Sequence, residues 1–442
     1  MDVIIRKKSL LSGRLTVPPD KSICHRSLLV AAIARGHTEI HPWPEAEDCQ
    51  RTLEVIERLG VQVAKRSGSV VVEGRGANGL YAPPSELYCG ESGTTFRLLA
   101  GLLAGQPFAA RLCAAPSLNR RPMRRIVEPL MEMGARFEVP GSTAASPEWY
   151  PPMTVHGRRP LKAISYHPQV ASAQVKSAIL LAGLSADGRT TVIEVQETRD
   201  HTERMLRHFS ASVGQRGLEV WVEPSQLVSP GSLSLPGDFS SAAFFLVGAV
   251  CSSGSQVIVD EVSLNPTRSQ LIDLLKRMGA RIEITVEESS WEPRGQVTVH
   301  QVQPLRGLTL EAYEVPAIID ELPILMVDAC CAEGVTRLHG LAELRVKETD
   351  RIRSMVNGLN RLGARIRLVG SDTVEIIGGP LSGAEVESAG DHRTAMSLVI
   401  AGLMAEGTTI VHGAECVAKS FPEFFDRLGL LITTASVEVP GS

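Results

Sequence analysis

Residues 344–352 read LRVKETDRI and gather Arg345, Lys347, Glu348, Asp350 and Arg351 into nine positions. On a helix, Lys347 and Arg351 would be four apart and share one face, with Glu348 beside Arg351 at a spacing of three. Two cations flanking a carboxylate suit a doubly charged anionic substrate that must also gain or lose a proton. Taken alone, such a run ordinarily means a solvated helix face with alternating charges. The balance shifts because similar polar clusters recur along the chain, each at the same place in a repeating unit.

The other clusters are Asp20-Lys21-Ser22 with Arg26, Glu91-Ser92-Gly93-Thr94-Thr95 with Arg97, and Ser172-Ala173-Gln174 with Lys176. The second half of the chain adds Gly237-Asp238 with Ser240-Ser241, then Asp320-Glu321, then Asp391-His392-Arg393. Each precedes or opens an apolar helix. A helix N-terminus carries unpaired backbone N–H groups and partial positive charge, so it attracts phosphate or carboxylate. Ser, Thr, Asp and Gly there also serve as plain caps, and for any one cluster the cap is the better reading. Repeated six times, the arrangement predicts an anion site on which the helix starts of two facing domains converge. Lys21, Arg26, Arg121, Arg199, Lys347, Arg351, Arg393 and Lys419 supply cations for it, against only Asp320, Glu348 and Glu91 as acids. That balance fits two multiply charged anions. Arg124 and Arg125 read as a solvated basic corner, and His201 and His392, each next to an Asp, as structural.

The elements that must position these residues repeat. An apolar helix, a Gly-containing stop and a β-branched strand recur at 26–40, 96–112, 177–195, 241–259, 322–338 and 394–411. Apolar on all sides, these helices should be buried. An amphipathic helix closed by Gly and followed by a strand recurs at 52–63, 126–139, 271–284 and 355–368, with weaker versions at 205–214 and 421–431. The closing Gly is the expected left-handed residue just past a helix end. The chain therefore reads as six α/β units of about 70 residues, three to a domain. The expected domains are 19–236, inserted, and 237–442 completed by 1–18.

Composition bounds the function. At 442 residues, 43% hydrophobic and 21% charged, the chain is an ordinary globular protein, and 4% aromatics leave the core to Leu, Val, Ile and Ala. A net charge of -4 argues against a nucleic-acid partner. The eight cysteines form no CxxC pair and no zinc-finger spacing, so no metal site is expected. With no secretory signal at the N-terminus, they read as reduced thiols of a cytoplasmic protein. No apolar run is long enough to span a bilayer, so no membrane partner is expected. Neither a P-loop nor a GxGxxG after a strand is present, which excludes nucleotide hydrolysis and dinucleotide binding as motif-based readings.

Ten segments carry a family resemblance, in order: PPDKSICHRSLL, SGTTFRLLAGLLAG, RRPMRRIVEPL, VASAQVKSAILLAGL, TRDHTERML, PGDFSSAAFFLV, IDELPIL, LRVKETDRI, DHRTAM and AKSFPEFF. The chain resembles the enolpyruvyl transferase family over nearly its whole length, most closely the branch that uses shikimate-3-phosphate. The resemblance implies an α/β protein built as a two-domain inside-out barrel, each domain three βαββαβ-type repeats around buried helices. It implies transfer of the enolpyruvyl group of phosphoenolpyruvate to the 5-hydroxyl of shikimate-3-phosphate through a tetrahedral adduct that loses phosphate. Shikimate-3-phosphate would be held by Lys21, Ser22, Arg26, Ser172, Ala173, Gln174, Arg199, Asp320 and Lys347. Phosphoenolpyruvate would be held by Lys21, Gly93, Arg121, Gln174, Arg351, Arg393 and Lys419. Asp320 would act as base on the hydroxyl, with Glu348 and Lys21 moving the proton at C3. No cofactor or metal is implied; a monomer whose two domains close on the ligands is expected.

Three positions depart from the family pattern. Glu91 stands where Asn is usual, placing a carboxylate at the phosphoenolpyruvate subsite, where it weakens binding unless protonated or paired. Ala115-Pro116 replaces a Gly-Asp, and Cys24 a Ser. They leave open, as an alternative, a divergent enolpyruvyl transferase with another alcohol acceptor in specialised metabolism. A sugar-nucleotide acceptor is disfavoured because Pro116 stands where that branch carries a Cys. A retired enzyme is disfavoured because Lys21, Asp320, Glu348 and Arg351 are all present.

Overall fold

Helix placement follows the apolar segments and their caps. The computed structural model describes residues 1–6, 10–142, 146, 148–287, 291–301, 303–432 and 437–439. In chain order the helices are α1 (Lys21–Ala32), α2 (Glu47–Arg58), α3 (Gly93–Ala104), α4 (Arg124–Glu132), α5 (Ala173–Gly183), α6 (His201–His208) and α7 (Phe239–Val250). There follow α8 (Leu271–Arg277), α9 (Val315–Ile318), α10 (Leu322–Cys331), α11 (Arg351–Arg361), α12 (His392–Met404) and α13 (Phe424–Gly429). The side chains of Asp20, Ser92, Ser172, Asp238 and Asp391 accept a backbone N–H of the first turn of α1, α3, α5, α7 and α12. Each cap stops the chain from winding further back and starts the helix at the polar cluster. The start of α10 has no such side-chain bond and carries Pro323 in its first turn, where the missing N–H does no harm.

The chain divides into two compact units, Met1–Pro18 with Pro236–Ser442 and Pro19–Leu235. Each unit, among its described residues, has three four-stranded sheets. In all six sheets the strand that follows a buried helix pairs in parallel on one side and antiparallel on the other. In the unit 19–235, for example, Arg35–His41 lies parallel to Ser232–Ser234 and antiparallel to Ser69–Arg75, which pairs in turn with Gln62–Arg66. Ser12–Thr16 lies parallel to Gln256–Ser263, and Val3–Ile5 lies between Thr409–His412 and Val437–Glu438. Residues 1–18 thus complete two sheets of the unit that contains the C-terminus.

The inside of each unit is helical. α7 and α12 are buried along their whole length, and α1, α3, α5 and α10 nearly so. In the unit 19–235, α3 packs on α1 and α5; in the other, α7, α10 and α12 pack on one another. Gly101 permits the closest crossing, since a Cβ there would lie 2.3 Å from the Ala178 carbonyl oxygen. The amphipathic helices lie outside with one buried face, as in α2, where Cys49, Leu53, Val55 and Ile56 point in.

Gly60, Gly134, Gly279 and Gly363 take positive φ just past α2, α4, α8 and α11, as expected. The two weaker copies differ. α6 ends at His208, and Ser210, not Gly214, adopts the left-handed conformation. Gly214 lies in a strand instead, where a Cβ would meet the Trp221 ring at 2.2 Å. Gly429 is the last residue of α13 rather than its stop. Among the described residues no helix is long and apolar enough to cross a membrane.

Candidate active site

In the unit 19–235 the starts of α1, α3 and α5 are tied together by polar side chains. Lys21 opens α1, and its Nζ donates to Asp48 Oδ2 on α2 at 2.9 Å. Arg26, one turn on and buried, donates to the Ser22 carbonyl at 2.8 Å, to Thr202 Oγ1 at 2.7 Å and to Ser177 Oγ at 3.0 Å. Ser177 donates in turn to the Ala173 carbonyl at 2.6 Å. Arg26 therefore locks α1 to α5 and α6 while its guanidinium stays at their polar ends. Gln174 joins α5 to α3, accepting from Arg97 Nη1 at 2.6 Å and donating to Thr94 Oγ1 at 2.9 Å.

Gly93 has a steric reason to be glycine. A Cβ there would lie 3.1 Å from Nη1 of both Arg121 and Arg97. Two guanidiniums thus crowd the first residue of α3, where the backbone N–H groups also face outward, a strong local field for an anion. Below them runs a buried chain: His25 Nδ1 to Thr52 Oγ1 at 2.7 Å, Thr52 to Thr95 Oγ1 at 2.6 Å, and Thr95 to the Ser92 cap at 2.8 Å. Burial pushes His25 down to about 3, with Lys21 and Arg26 reinforcing it and Asp48 opposing. His25 is neutral, and it supports the helix starts. Arg199 lies in the loop before α6 and is partly buried.

In the unit holding the C-terminus, the LRVKETDRI segment is not one helix. A 3₁₀ turn covers Ala342–Val346, residues 347–349 bend, and α11 begins at Arg351. Asp350 is the cause: its carboxylate accepts the Arg353 N–H at 3.1 Å and caps α11 there. The expected neighbours still meet. Lys347 Nζ and Arg351 Nη1 each lie 3.6 Å from Asp320 Oδ1, and Glu348 accepts from Arg351 Nη2. Arg351 is 1% exposed and donates through Nε to Asp391 Oδ2 at 2.7 Å. Burial alone would push Asp391 up and Arg351 down, but their attraction outweighs it. Asp391 is held below the usual carboxylate range and Arg351 above its ordinary value. Arg393 Nη1 donates to the Asp320 carbonyl at 3.0 Å, and Lys419 Nζ to the Gly390 carbonyl at 3.2 Å.

Within this unit, then, Asp320, Lys347, Glu348, Arg351 and Arg393 form one cluster, and Lys419, which ends a 3₁₀ turn well after α12, reaches back to the loop before that helix through the Gly390 carbonyl. Within the other, Lys21, Ser22, Arg26, Gly93, Arg121, Ser172, Ala173 and Gln174 sit at the starts of three adjoining helices. Among the described residues no group of three or more His, Cys, Asp or Glu is placed to hold a metal ion. A family model for EPSP synthase (3-phosphoshikimate 1-carboxyvinyltransferase) matches residues 5–428. The chain belongs to the EPSP synthase family. It is 44% identical over 419 residues to the 3-phosphoshikimate 1-carboxyvinyltransferase of Coxiella burnetii, covering 94% of each chain. With the enzyme of that name from Nitrosococcus oceani the identity is 45% over 428 residues, covering 96% of this chain and 95% of the other. A solved EPSP synthase from Acinetobacter baumannii is 41% identical, superposes with a TM-score of 0.85, and is covered over 99% of this chain and 100% of that one.

Two departures from the EPSP synthase pattern have structural explanations. Ala115 is buried, and its N–H donates to the Gly90 carbonyl at 2.8 Å, tying the turn that leads to Arg121 to the loop that opens α3. That bond is made by the backbone, so it does not depend on which side chain stands at 115. Cys24 is fully buried on α1, where burial and then its neighbour Cys49 push the thiol up. It is a core residue. Glu91 lies in the turn between Gly90 and the cap Ser92, partly buried.

Lys176 is not a ligand-facing cation. It is 1% exposed and bridges Glu194 at 2.9 Å and Glu203 at 2.7 Å. Burial would lower its pKa, but the two carboxylates raise it overall. Arg268 escaped the sequence reading altogether. It is 2% exposed, donates to Glu321 at 2.8 Å and to Ser240, and fastens the start of α7 to that of α10. Asp48 and Thr202 were missed in the same way. Asp48 carries no local mark, and Thr202, although it lies in the TRDHTERML segment, shows nothing of its role there, because their partners are 27 and 176 residues distant.

Proposed function

We propose that the chain transfers the enolpyruvyl group of phosphoenolpyruvate to the 5-hydroxyl of shikimate-3-phosphate and releases phosphate, a step toward aromatic amino acids. The hydroxyl oxygen bonds to C2 of phosphoenolpyruvate as its proton leaves and C3 gains one. The tetrahedral adduct then expels phosphate from C2 and gives back a proton from C3, forming the enol ether. The observation that carries the assignment of roles is the Asp320 carboxylate with Lys347 and Arg351 both 3.6 Å from one oxygen.

In this reading Asp320 takes the hydroxyl proton, while Glu348 and Lys21 move the proton at C3. Lys21, Ser22, Arg26, Ser172, Ala173, Gln174, Arg199, Asp320 and Lys347 hold shikimate-3-phosphate. Lys21, Gly93, Arg121, Gln174, Arg351, Arg393 and Lys419 hold phosphoenolpyruvate and stabilise the charge that builds on the leaving phosphate. Because Arg351 is anchored by Asp391 and Arg393 by the Asp320 carbonyl, both guanidiniums are oriented before substrate arrives. Little reorganisation then accompanies the reaction. The same reading makes the protein a cytoplasmic monomer; its eight cysteines, all free thiols, fit a reducing compartment, and light scattering of the purified protein tests the monomer.

The test of the reaction is phosphate release with both substrates, for wild type and Asp320→Asn. Wild type should turn over, and the variant should lose about a hundredfold to ten-thousandfold in kcat while keeping its circular dichroism spectrum. A variant with unaltered kcat would remove Asp320 from the role of base. A folded wild type that releases no phosphate would sink the choice of acceptor.

A further inference from the structure

The unit 19–235 has a second arginine cluster, at the end opposite its helix starts. A cavity of about 380 Å³ opens there, lined by Arg35, Arg75, Arg159, Asn78, Ser225 and Gln226 among others. Leu184, just past the end of α5, also lines it, and Arg35 opens the strand that follows α1. Lys21 and the cavity are thus separated by the length of α1, about 18 Å for twelve residues. The cavity shares no residue with the proposed substrate set.

Its electrostatics are unusual for this protein. Arg35 and Arg75 are directly opposite each other in an antiparallel pair, an arrangement in which like charges destabilise. Other cross-strand arginines face a carboxylate, as where Arg337 opposes Glu375 at 3.0 Å and Arg294 opposes Glu287 at 2.9 Å, or a neutral side chain, as where Arg66 opposes Ser69. None of the ten residues lining the cavity is acidic. Arg159 is partly buried there, and burial pushes its pKa down with no carboxylate to offset it.

Ordinary structural roles do not use up these groups. Arg159 donates to the Ala77 carbonyl at 2.8 Å, and Arg75 to the Gly79 carbonyl at 3.2 Å and the Tyr81 hydroxyl. Arg35 donates to the Gln226 amide oxygen, through Nη2 at 3.0 Å, once that amide is turned to face it. Each guanidinium has five N–H groups, so most of the donors remain. No guanidinium bond lands on a helix carbonyl, and the half-charges of helix ends would not balance three full cations.

We propose that this cavity binds the diphosphate group of a small anion. Guanidinium forks match phosphate oxygens two by two, and the three or so negative charges of a diphosphate equal the three cations. The volume lies within the range of small-ligand sites. Bound anion would also relieve the repulsion between Arg35 and Arg75.

Calorimetric titration tests this, with inorganic pyrophosphate in one arm and ADP in the other. The proteins are wild type, Arg35→Gln, the double variant Arg35→Gln/Arg159→Gln, and Arg393→Gln as a control for phosphate entering the substrate site. At least tenfold weaker binding in the double variant is expected, with turnover within twofold of wild type and binding retained in Arg393→Gln. Arg35 is exposed, so the single variant serves if the double one fails to fold, and a threefold or greater loss is expected there. Stronger binding of ADP would point to a nucleotide as the source of the diphosphate, and stronger binding of pyrophosphate to the free anion. Wild-type affinity in the cavity variants, loss only in Arg393→Gln, or no binding of either probe by wild type would each overturn the proposal.

Discussion

Asp328 should make this protein less stable as pH rises, and the effect is large enough to measure. It lies on α10 among Leu325, Met326, Val327 and Ala329, all at most 1% exposed, and is itself fully buried. Cys251 Sγ donates to Oδ1 at 3.5 Å, while Oδ2 has no hydrogen-bond partner. Among the described residues no cation pairs with it. Burial pushes its carboxyl from 3.8 up to about 7, opposed only weakly by the Cys251 thiol. The folded protein therefore keeps a proton that the unfolded chain has already released. Between pH 4 and 7 the folded state binds more protons, so stability is full below about pH 4, falls through this window and levels off above 7. The full effect is roughly 4 kcal/mol at 1.36 kcal/mol per pKa unit, and roughly 3 kcal/mol of it falls between pH 5 and 8.5.

Asp328→Asn keeps the shape and a hydrogen-bonding group but cannot ionise. Urea unfolding of both proteins at pH 5, 6, 7 and 8.5 gives the stability of each, and their difference cancels all other titrating groups. The variant should gain on wild type by roughly 3 kcal/mol over that range, mostly below pH 7. Turnover at pH 7 should stay within a few-fold, since Asp328 belongs to neither substrate cluster. A difference that stays constant within about 0.5 kcal/mol from pH 5 to 8.5 would refute the reasoning. It would mean that water or a structural opening hydrates the carboxylate in the folded state.

Gly93→Ala should raise the KM for phosphoenolpyruvate about tenfold or more, equivalent to roughly 1.4 kcal/mol, because its methyl group displaces the guanidiniums of Arg121 and Arg97. Its thermal midpoint should stay near that of wild type, since Ala is favourable in a helix; an unchanged KM would show that Arg121 does not meet that substrate at α3. Arg351→Ala should cost about 3–5 kcal/mol of stability by stranding the buried Asp391, besides abolishing turnover. Chemical denaturation measures the first, and a loss of turnover with unchanged stability would contradict the anchoring described here.

Much of the architecture was legible in the amino-acid order because it depends on local periodicity. Helices such as α7, FSSAAFFLVGAV, are apolar on every side and have nowhere to go but inside. Gly60, Gly134, Gly279 and Gly363 stop their helices because positive φ is easy for glycine. The repeated polar clusters ahead of apolar segments located the helix starts, and ten segments in family order carried the chemistry. Pairing across the fold was decided only by packing. Whether Lys176 faces a ligand or two buried carboxylates depends on where Glu194 and Glu203 arrive, and no spacing encodes that. Lys347, Glu348 and Arg351 meet around Asp320 not as one helical face but across a bend, because Asp350 caps α11 between them. Likewise, the meeting of Arg35 with Arg75 in one cavity follows from strand register, set by residues far from either. Local sequence sets what each segment can become; which charges become neighbours is settled by the summed contacts of the whole core.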